Sequence, residues 1–243
     1  MNLVEILRLD TRIPKTGGWY ANQWEKIKKY PLFISFPRTG AHWINAVMEL
    51  YFDRPRLPEV RATLIDSTRD DWMWFHDHDT VAYDKLYVEN QEALYLYRDP
   101  IDTVYSYIIY QFSNGKSIKS IDSKRLDDLV SACTQHYKKH LQKWMSTKTL
   151  VRYENFKIDR SSEFKKICDH FGTEFNEEKV SRCFDLVTPE TLSKARTEPT
   201  TLSDFMLSEQ YKKDRTEFKE QYKDTINSII LTDDLKGFFN ENS

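Results

Sequence analysis

The pattern of apolar and polar residues near the start of the chain predicts a strand, a tight turn and a helix. Leu32–Phe36 is a short apolar run rich in aromatic residues, which is typical of a buried strand. Pro37 ends that strand, and Gly40 allows a backbone conformation that a side chain would disfavour. From Trp43 to Phe52 apolar residues recur at helical spacing, so a helix is expected to follow the turn at once.

Further along the chain, the same pattern predicts two more strands and a series of helices. The strands are expected at Glu92–Tyr97 and Thr149–Tyr153, whereas residues 53–80 are predicted to be irregular. Helices are expected around Ile101–Phe112, Leu126–Trp144, Phe164–Phe171, Val180–Val187 and Phe218–Ile230. Because strands alternate with helices, the sequence predicts an α/β fold: a parallel β-sheet flanked by helices, in a single domain over residues 1–243.

Composition and charge narrow the class of protein. The chain has 36 Lys and Arg residues against 38 Asp and Glu, for a net charge of -2, which argues against broad nucleic-acid binding. Cys133, Cys168 and Cys183 lie far apart and are expected to be buried thiols, without a disulfide or a zinc site. No apolar run is long enough for a bilayer, and the first residues lack the pattern of a signal peptide. We therefore expect a cytoplasmic protein that binds neither nucleic acid nor membrane.

The turn between the first strand and its helix is a candidate anion site. It carries Arg38 and Thr39, and its amide groups lie at the positive end of a helix, where phosphate binds well. Arg98 follows the second predicted strand, with Tyr153 at the end of the third. In a parallel sheet such strand ends share one edge, where ligands bind. The sequence therefore predicts a phosphate site there.

The residues at 36–43, FPRTGAHW, resemble the phosphosulfate-binding signature YPKSGTTW of sulfotransferases that use 3′-phosphoadenosine 5′-phosphosulfate (PAPS). Gly40 and Trp43 are kept. The signature's Tyr, Lys, Ser and two Thr are replaced by Phe36, Arg38, Thr39, Ala41 and His42. The resemblance implies a P-loop-like strand–loop–helix that holds the 5′-phosphosulfate of PAPS.

Two further signatures of that family have counterparts here. An Arg followed eight residues later by a Ser grips the 3′-phosphate, and Arg98 and Ser106 match that spacing. The family's YEDMK segment, whose Tyr faces the adenine, resembles Tyr153–Lys157. Its last signature is eroded, and Arg196 is the best candidate for a further 3′-phosphate contact, with Lys194 and Arg215 as alternatives. The resemblance thus implies cofactor contacts by Arg38, Thr39, Gly40, Ala41, His42, Trp43, Arg98, Ser106, Tyr153 and Arg196, with Trp43 left open between adenine stacking and core packing.

The resemblance also implies a catalytic histidine about twenty residues before the 3′-phosphate Arg. His76 lies 22 residues before Arg98 and His78 lies 20 before it, and we place His76 first, with His78 as the alternative. A neutral histidine can accept a proton near neutral pH. Arg38 would stabilise the leaving phosphate by charge, because a guanidinium holds its proton firmly. The HDHD segment also permits a metal site, but on a strand His76 and His78 would share a face without Asp77 or Asp79, and no distant ligand cluster is evident, so no metal is expected.

The acceptor is the least defined part of this prediction. Six aromatic residues are candidates for an apolar acceptor pocket, although several would also suit the core: Trp72, Trp74, Phe75, Tyr105, Tyr107 and Tyr110. Four carboxylates near the histidines make a cationic acceptor a further hypothesis: Asp70, Asp71, Asp77 and Asp79.

These observations predict a PAPS-dependent sulfotransferase that acts on a hydroxyl or amine of a small-molecule acceptor and releases adenosine 3′,5′-bisphosphate (PAP). Two alternatives stay open. A nucleotide or small-molecule kinase would share the phosphate-binding turn, but the chain lacks GxxxxGK[ST]. A nucleotide-binding module without catalysis would keep the anion sites alone. The oligomeric state is left open.

Overall fold

The computed structural model describes residues 29–57, 65, 69–78, 92–113, 116–188, 191–192 and 205–240. They fall into two compact units. The sheet unit contains residues 29–57, 65, 69–78, 92–98, 144–188 and 191–192, and the helical unit contains residues 99–113, 116–143 and 205–240. That the whole chain is one domain stays a prediction.

A five-stranded β-sheet forms the sheet unit. Its strands are β1 Leu32–Ser35, β2 Arg56–Leu57, β3 Trp74–Asp77, β4 Ala93–Tyr97 and β5 Thr149–Arg152, in the order β2-β3-β1-β4-β5. Every neighbouring pair is parallel, with Phe33 of β1 opposite His76 of β3 and Leu94 of β4. The carboxyl ends of all five strands therefore share one edge, the position of ligand sites in such sheets.

Two of these strands lie in a segment that the sequence analysis predicts to be irregular. β2 has only two residues and β3 has four, so neither is long enough to establish a period in the sequence. β3 is held instead by pairing with β1 over Leu32–Ile34 and with β2. The prediction for residues 53–80 was wrong at these positions because strand pairing, which is not local in sequence, decides them.

Within the described residues, one α-helix follows β1, two lie between β4 and β5, and five follow β5. They are α1 Ala41–Phe52, α2 Pro100–Phe112, α3 Ser123–Trp144, α4 Asn155–Ile158, α5 Arg160–His170, α6 Glu177–Leu186, α7 Glu209–Ile230 and α8 Lys236–Asn240. Side-chain caps explain several starts: Asp99, Asp159 and Asn176 accept hydrogen bonds from the backbone of α2, α5 and α6, respectively. All six helices predicted from periodicity are present, as α1, α2, α3, α5, α6 and α7.

The core of the sheet unit lies between one face of the sheet and three helices. Phe33, Trp74 and Leu96 point from the strands into a cluster with residues of α1, α5 and α6, such as Ile44 and Phe164. The opposite face of β1 and β4 is buried as well. Burial on both faces explains why β1 and β4 read as continuous apolar runs. Cys133, Cys168 and Cys183 are buried free thiols, as predicted.

In the helical unit, α2 packs against α7. The Tyr105 ring lies 5.1 Å from the Tyr211 ring and 5.2 Å from the Phe218 ring. Arg215 of α7 also forms a bidentate ion pair with Asp102 of α2. Within the described residues, no helix is both long and apolar enough to cross a bilayer.

Candidate active site

The loop at residues 36–43 (the 36–43 loop) has two residues in the left-handed region of backbone space. Arg38 has φ 72° and Gly40 has φ 95°. For Arg38 this conformation costs on the order of 1–2 kcal/mol, and such strain concentrates at functional sites. The Thr39 hydroxyl donates to the Phe36 carbonyl at 2.8 Å, which closes the loop. The loop then enters α1, whose first turn begins at Ala41.

Arg98 reaches the 36–43 loop from the end of the neighbouring strand β4. Its Nη1 atom donates to the Arg38 carbonyl at 3.1 Å, and its Nε atom lies 4.0 Å from a carboxylate oxygen of Glu154. The guanidinium also lies 4.6 Å from the centre of the Tyr153 ring. The predicted 3′-phosphate arginine is therefore in direct contact with the predicted 5′-phosphosulfate loop.

Tyr153 is the centre of a cluster that joins several predicted cofactor residues. Its ring lies against Gly40, and Lys157 places its ammonium 4.8 Å from the ring centre. The Trp43 ring meets Tyr153 edge to face at 5.7 Å. The family Tyr faces adenine, whereas the described contacts of Tyr153 are with the loop and with two cations. Tyr153 therefore holds the loop and Arg98 in place.

Trp43 is anchored on its core side. Its indole N–H donates to the Val187 carbonyl at 3.0 Å, and its ring packs edge to face on Phe184 and Phe156. Of the two interpretations left open by the sequence, these contacts favour packing against the core for most of the ring. The Trp43 ring also contacts Tyr153, which belongs to the predicted nucleotide site.

His76 and His78 meet at Ser35, the last residue of β1. The Ser35 hydroxyl lies 3.0 Å from Nε2 of His76 and 3.2 Å from Nδ1 of His78. His78 Nδ1 is also 2.9 Å from the Ser35 carbonyl, and the two imidazole rings are 4.9 Å apart. Both candidate bases therefore stand beside the start of the 36–43 loop.

Burial lowers the pKa of both histidines. For His76 the shift is large, and the charges of His78, Arg56 and His42 add to it. For His78 the Ser35 carbonyl and Asp77 act in the opposite direction, and Arg38 and Arg56 lower the pKa further. Both rings are therefore neutral near neutral pH, which is the form that can accept a proton.

A buried ion pair behind the histidines was not predicted. Arg56 of β2 donates to Glu49 of α1 at 2.7 Å, and both side chains are almost completely buried. Burial raises the pKa of Glu49 to about 7, against the attraction of Arg56. Burial also lowers the pKa of Arg56. The sequence signal for this pair was Glu49, a single charged residue among the apolar residues of α1. Its partner Arg56 lies in β2, a strand that the sequence analysis did not predict.

Other predicted residues are dispersed. Ala41 is buried in the first turn of α1 and His42 is exposed beside it. Ser106 is buried in α2, in the helical unit; its pairing with Arg98 at one phosphate stays a prediction. Arg196, Lys194 and Asp79 lie outside the described residues. Arg215, an alternative to Arg196, has its guanidinium engaged by Asp102.

Several of the candidate acceptor residues are paired with other groups or buried. Asp71 accepts hydrogen bonds from Arg69 and lies 3.8 Å from Arg54, so its charge is neutralised locally. Asp77 accepts from the backbone N–H of His78 at 2.7 Å. Five of the six aromatic candidates are buried: Trp72, Trp74, Phe75, Tyr105 and Tyr107. Among the described residues, no group of three or more His, Cys, Asp or Glu is arranged to hold a metal ion.

Comparison with known proteins assigns the class. The model of the sulfotransferase domain family matches residues 73–238, about two thirds of the chain. The crystal structure of mouse sulfotransferase SULT7A1 complexed with PAP aligns with a TM-score of 0.55 and 15% sequence identity, over 90% of this chain and 93% of that chain. At this identity the alignment shows a shared fold. No curated protein sequence matches the chain.

The chain belongs to the sulfotransferase domain family. The predictions of the family, the α/β fold class and the sulfotransferase activity are thereby confirmed. The matched range includes both histidines, Arg98, Ser106 and Tyr153. It begins after the 36–43 loop, so the role of that loop depends on its geometry and on its resemblance to the signature.

Proposed function

We propose that the protein transfers the sulfuryl group of PAPS to a hydroxyl or amine of a small-molecule acceptor, with a histidine as general base. In this reaction a bond forms between the acceptor heteroatom and sulfur while the bond from sulfur to the bridging phosphate oxygen breaks. The acceptor proton passes to the histidine, and PAP leaves with the electron pair of the broken bond. The residues that would do this lie at or directly after the carboxyl ends of strands β1, β3, β4 and β5.

The observation that carries the proposal is the contact between Arg98 and the 36–43 loop. Arg38 lies within the loop after β1, and Arg98, from the end of the adjacent strand β4, donates from Nη1 to the Arg38 carbonyl. The loop precedes the N-terminus of α1, whose amides favour an anion. A bisphosphorylated nucleotide presents two anionic groups, and Arg can bind phosphate in a bidentate manner. We propose that Arg38 and the loop amides hold the phosphosulfate, with Arg98 near the 3′-phosphate.

Arg38 would act on the leaving group by charge. As PAP departs, negative charge develops on the bridging oxygen, and a fixed cation stabilises it most effectively where water is excluded. Arg38 is held in a strained conformation by the hydrogen bond from the Thr39 hydroxyl to the Phe36 carbonyl, which spans it, and by α1, which begins at Ala41. This arrangement fixes the backbone that carries the guanidinium, so less reorganisation accompanies the reaction.

The described carboxylates give limited support to a cationic acceptor. Asp71 is neutralised by arginines, which leaves Asp70 and Asp77 as the described members of that cluster. We therefore keep the acceptor as a hydroxyl or amine compound, and comparison of phenols with amines would decide between the two. Cytoplasmic localisation and the lack of nucleic-acid binding also stay predictions.

Calorimetric titration with PAP, ATP and 5′-AMP, without metal, tests the donor site. We expect PAP to bind most tightly and Arg98→Ala to weaken PAP about 10- to 150-fold, the loss typical of one charge-assisted hydrogen bond. Lys165→Ala, which removes an exposed pair with Asp169, is the matched control and should leave PAP affinity unchanged. No preference for PAP over ATP would refute the proposal and favour the kinase. PAP binding without transfer to any acceptor would favour a non-catalytic module.

A further inference from the structure

Ser35 distinguishes the two candidate bases by the contacts it offers. Its carbonyl oxygen can only accept a hydrogen bond, and Nδ1 of His78 lies 2.9 Å from it. Nδ1 of His78 must therefore carry the ring proton. In the neutral imidazole the lone pair is then on Nε2.

The same reasoning assigns His76. Because the His78 Nδ1–H also points toward the Ser35 hydroxyl oxygen at 3.2 Å, that oxygen acts as an acceptor for His78. The hydroxyl proton can then be donated to Nε2 of His76, which lies 3.0 Å away. The lone pair of His76 Nε2 is thus engaged in a buried hydrogen bond, beside the Phe33 ring at 5.1 Å.

Two further observations separate the two rings. His76 is buried at 9% exposure, whereas His78 follows the end of β3 and is partly exposed. The charge of Arg38 lowers the pKa of His78, whereas the charges that act on His76 are those of His78, Arg56 and His42. An in-line transfer places the base and the leaving-group cation on opposite sides of one sulfur atom, so both must lie near it.

We infer that His78 is the general base, acting through Nε2, and that Ser35 is a positioning residue whose carbonyl fixes the His78 tautomer. His76 is a structural partner that holds the Ser35 hydroxyl. This inference rests on the proposed function and reverses the order in which the sequence analysis places the two histidines. In the reaction, the acceptor proton passes to His78 Nε2, the acceptor atom bonds to sulfur, and PAP leaves with the electrons of the broken S–O bond.

The tautomer can be measured without any turnover. In protein labelled with ¹⁵N-histidine and saturated with PAP, nitrogen–proton correlation spectra distinguish a protonated Nδ1 from a protonated Nε2, and single His variants assign the signals. We expect His78 to carry its proton on Nδ1 and its lone pair on Nε2. A proton on Nε2 of His78 would overturn the inference.

Kinetics with matched variants test the base itself. In His78→Asn, the amide N–H can still donate to the Ser35 carbonyl, but no base remains. In His76→Gln, the amide oxygen can still accept from the Ser35 hydroxyl. We expect kcat to fall about 10²- to 10⁴-fold in His78→Asn, the usual contribution of a general base, and less than about tenfold in His76→Gln. Calorimetry should give both variants a PAP affinity close to that of wild type. Such binding would show that both variants are folded.

The outcomes separate this inference from the proposed function. If wild type transfers sulfuryl groups but His76→Gln is the inactive variant, or if both variants lose activity equally, the assignment of His78 is overturned while the proposed function stands. If wild type binds PAP but sulfates no acceptor, the proposed function fails. The tautomer spectrum then still decides whether Ser35 positions His78.

Discussion

Gly40 and Tyr153 approach each other so closely that a Cβ atom on Gly40 would stand 2.4 Å from both Cδ2 and Cε2 of the Tyr153 ring. Gly40 also has φ 95°, so two independent constraints exclude a side chain there. The contact joins the loop after β1 to the end of β5. Because Tyr153 also lies beneath the Arg98 guanidinium, it links both proposed anion-binding elements.

Substitution of Gly40 should therefore be more damaging than strain alone predicts. Gly40→Ala is expected to lose about 1–2 kcal/mol from the left-handed backbone and about 1–3 kcal/mol more from the overlap with Tyr153. Gly172→Ala is the matched control, since Gly172 has φ 62° with open space around it. Urea unfolding of both variants gives the difference. Equal losses in the free energy of unfolding would mean that the contact between Gly40 and Tyr153 adds no cost to the substitution.

PAP affinity provides a second readout of the Gly40 substitution. Gly40→Ala should weaken PAP binding because the loop must shift away from Tyr153, whereas Gly172→Ala, at the end of α5, should not change it. Wild-type PAP affinity in Gly40→Ala would contradict the role of the 36–43 loop in binding the nucleotide.

The parts of the fold that the sequence predicts are those fixed by local patterns. β1 and α1 are adjacent in sequence, a continuous apolar run defines β4, and Leu150 and Val151 mark β5, so each appears where expected. β3 could not be recognised because four residues show no period and its strand character depends on pairing with β1. The bond of Arg98 to the Arg38 carbonyl joins residues 60 positions apart, which no local pattern encodes.

In the candidate site too, the residues fixed by local sequence patterns could be predicted, and those that depend on strand pairing could not. Arg38 and Arg98 could be located because each follows a predicted strand, and Tyr153 because it is the last residue of one. The bridge by Ser35 could not, because it needs the register that places the end of β1 beside the end of β3. Arg56 was missed for a related reason. Its strand β2 was not predicted, and its side chain is buried in an ion pair with Glu49.

The buried Glu49 predicts an unusual dependence of stability on pH. The pKa of Glu49 rises from 4.5 to about 7 on folding, chiefly because burial disfavours its charge. Between these values the folded state holds a proton that the unfolded state has lost, so the free energy of unfolding falls as pH rises. Over about 2.5 pH units the contribution is about 3 kcal/mol.

Comparison with Glu49→Gln isolates this contribution. Urea unfolding of both proteins between about pH 4.5 and pH 7.5 should show wild type losing stability relative to the variant as pH increases, with no further relative change above about pH 7. A difference that is independent of pH would show that Glu49 stays ionised in its pair with Arg56 throughout.

His76 predicts the opposite dependence. Burial lowers its pKa well below 6.5, so below that pH the unfolded state binds a proton that the folded state does not. Wild type should therefore lose stability relative to His76→Gln as pH falls below about 6.5, by up to about 1.4 kcal/mol per pH unit until the folded-state pKa is reached. Unfolding in urea measures this difference; a constant difference would mean that His76 titrates normally.

Arg38 combines backbone strain with a proposed catalytic charge, so its substitution should separate stability from activity. Arg38→Gly removes a non-glycine residue at φ 72° and is expected to stabilise the protein by about 1 kcal/mol, since the strain relieved exceeds the added freedom of the unfolded chain. Its sulfuryl transfer should fall at least about 100-fold, the loss typical of one preorganised electrostatic group.

Two control variants separate the effect of the charge from the effect of the strain. Arg38→Lys keeps both the charge and the strain, and should retain more activity without a gain in stability. Asp53→Gly, at the other non-glycine residue with positive φ, at 49°, is the control that should gain stability with unchanged turnover. Because Arg38 lowers the pKa of His78, Arg38→Gly should also raise that pKa in a ¹⁵N-histidine titration, and Arg38→Lys should not. Full activity in Arg38→Gly would remove Arg38 from the proposed mechanism, whatever its effect on stability.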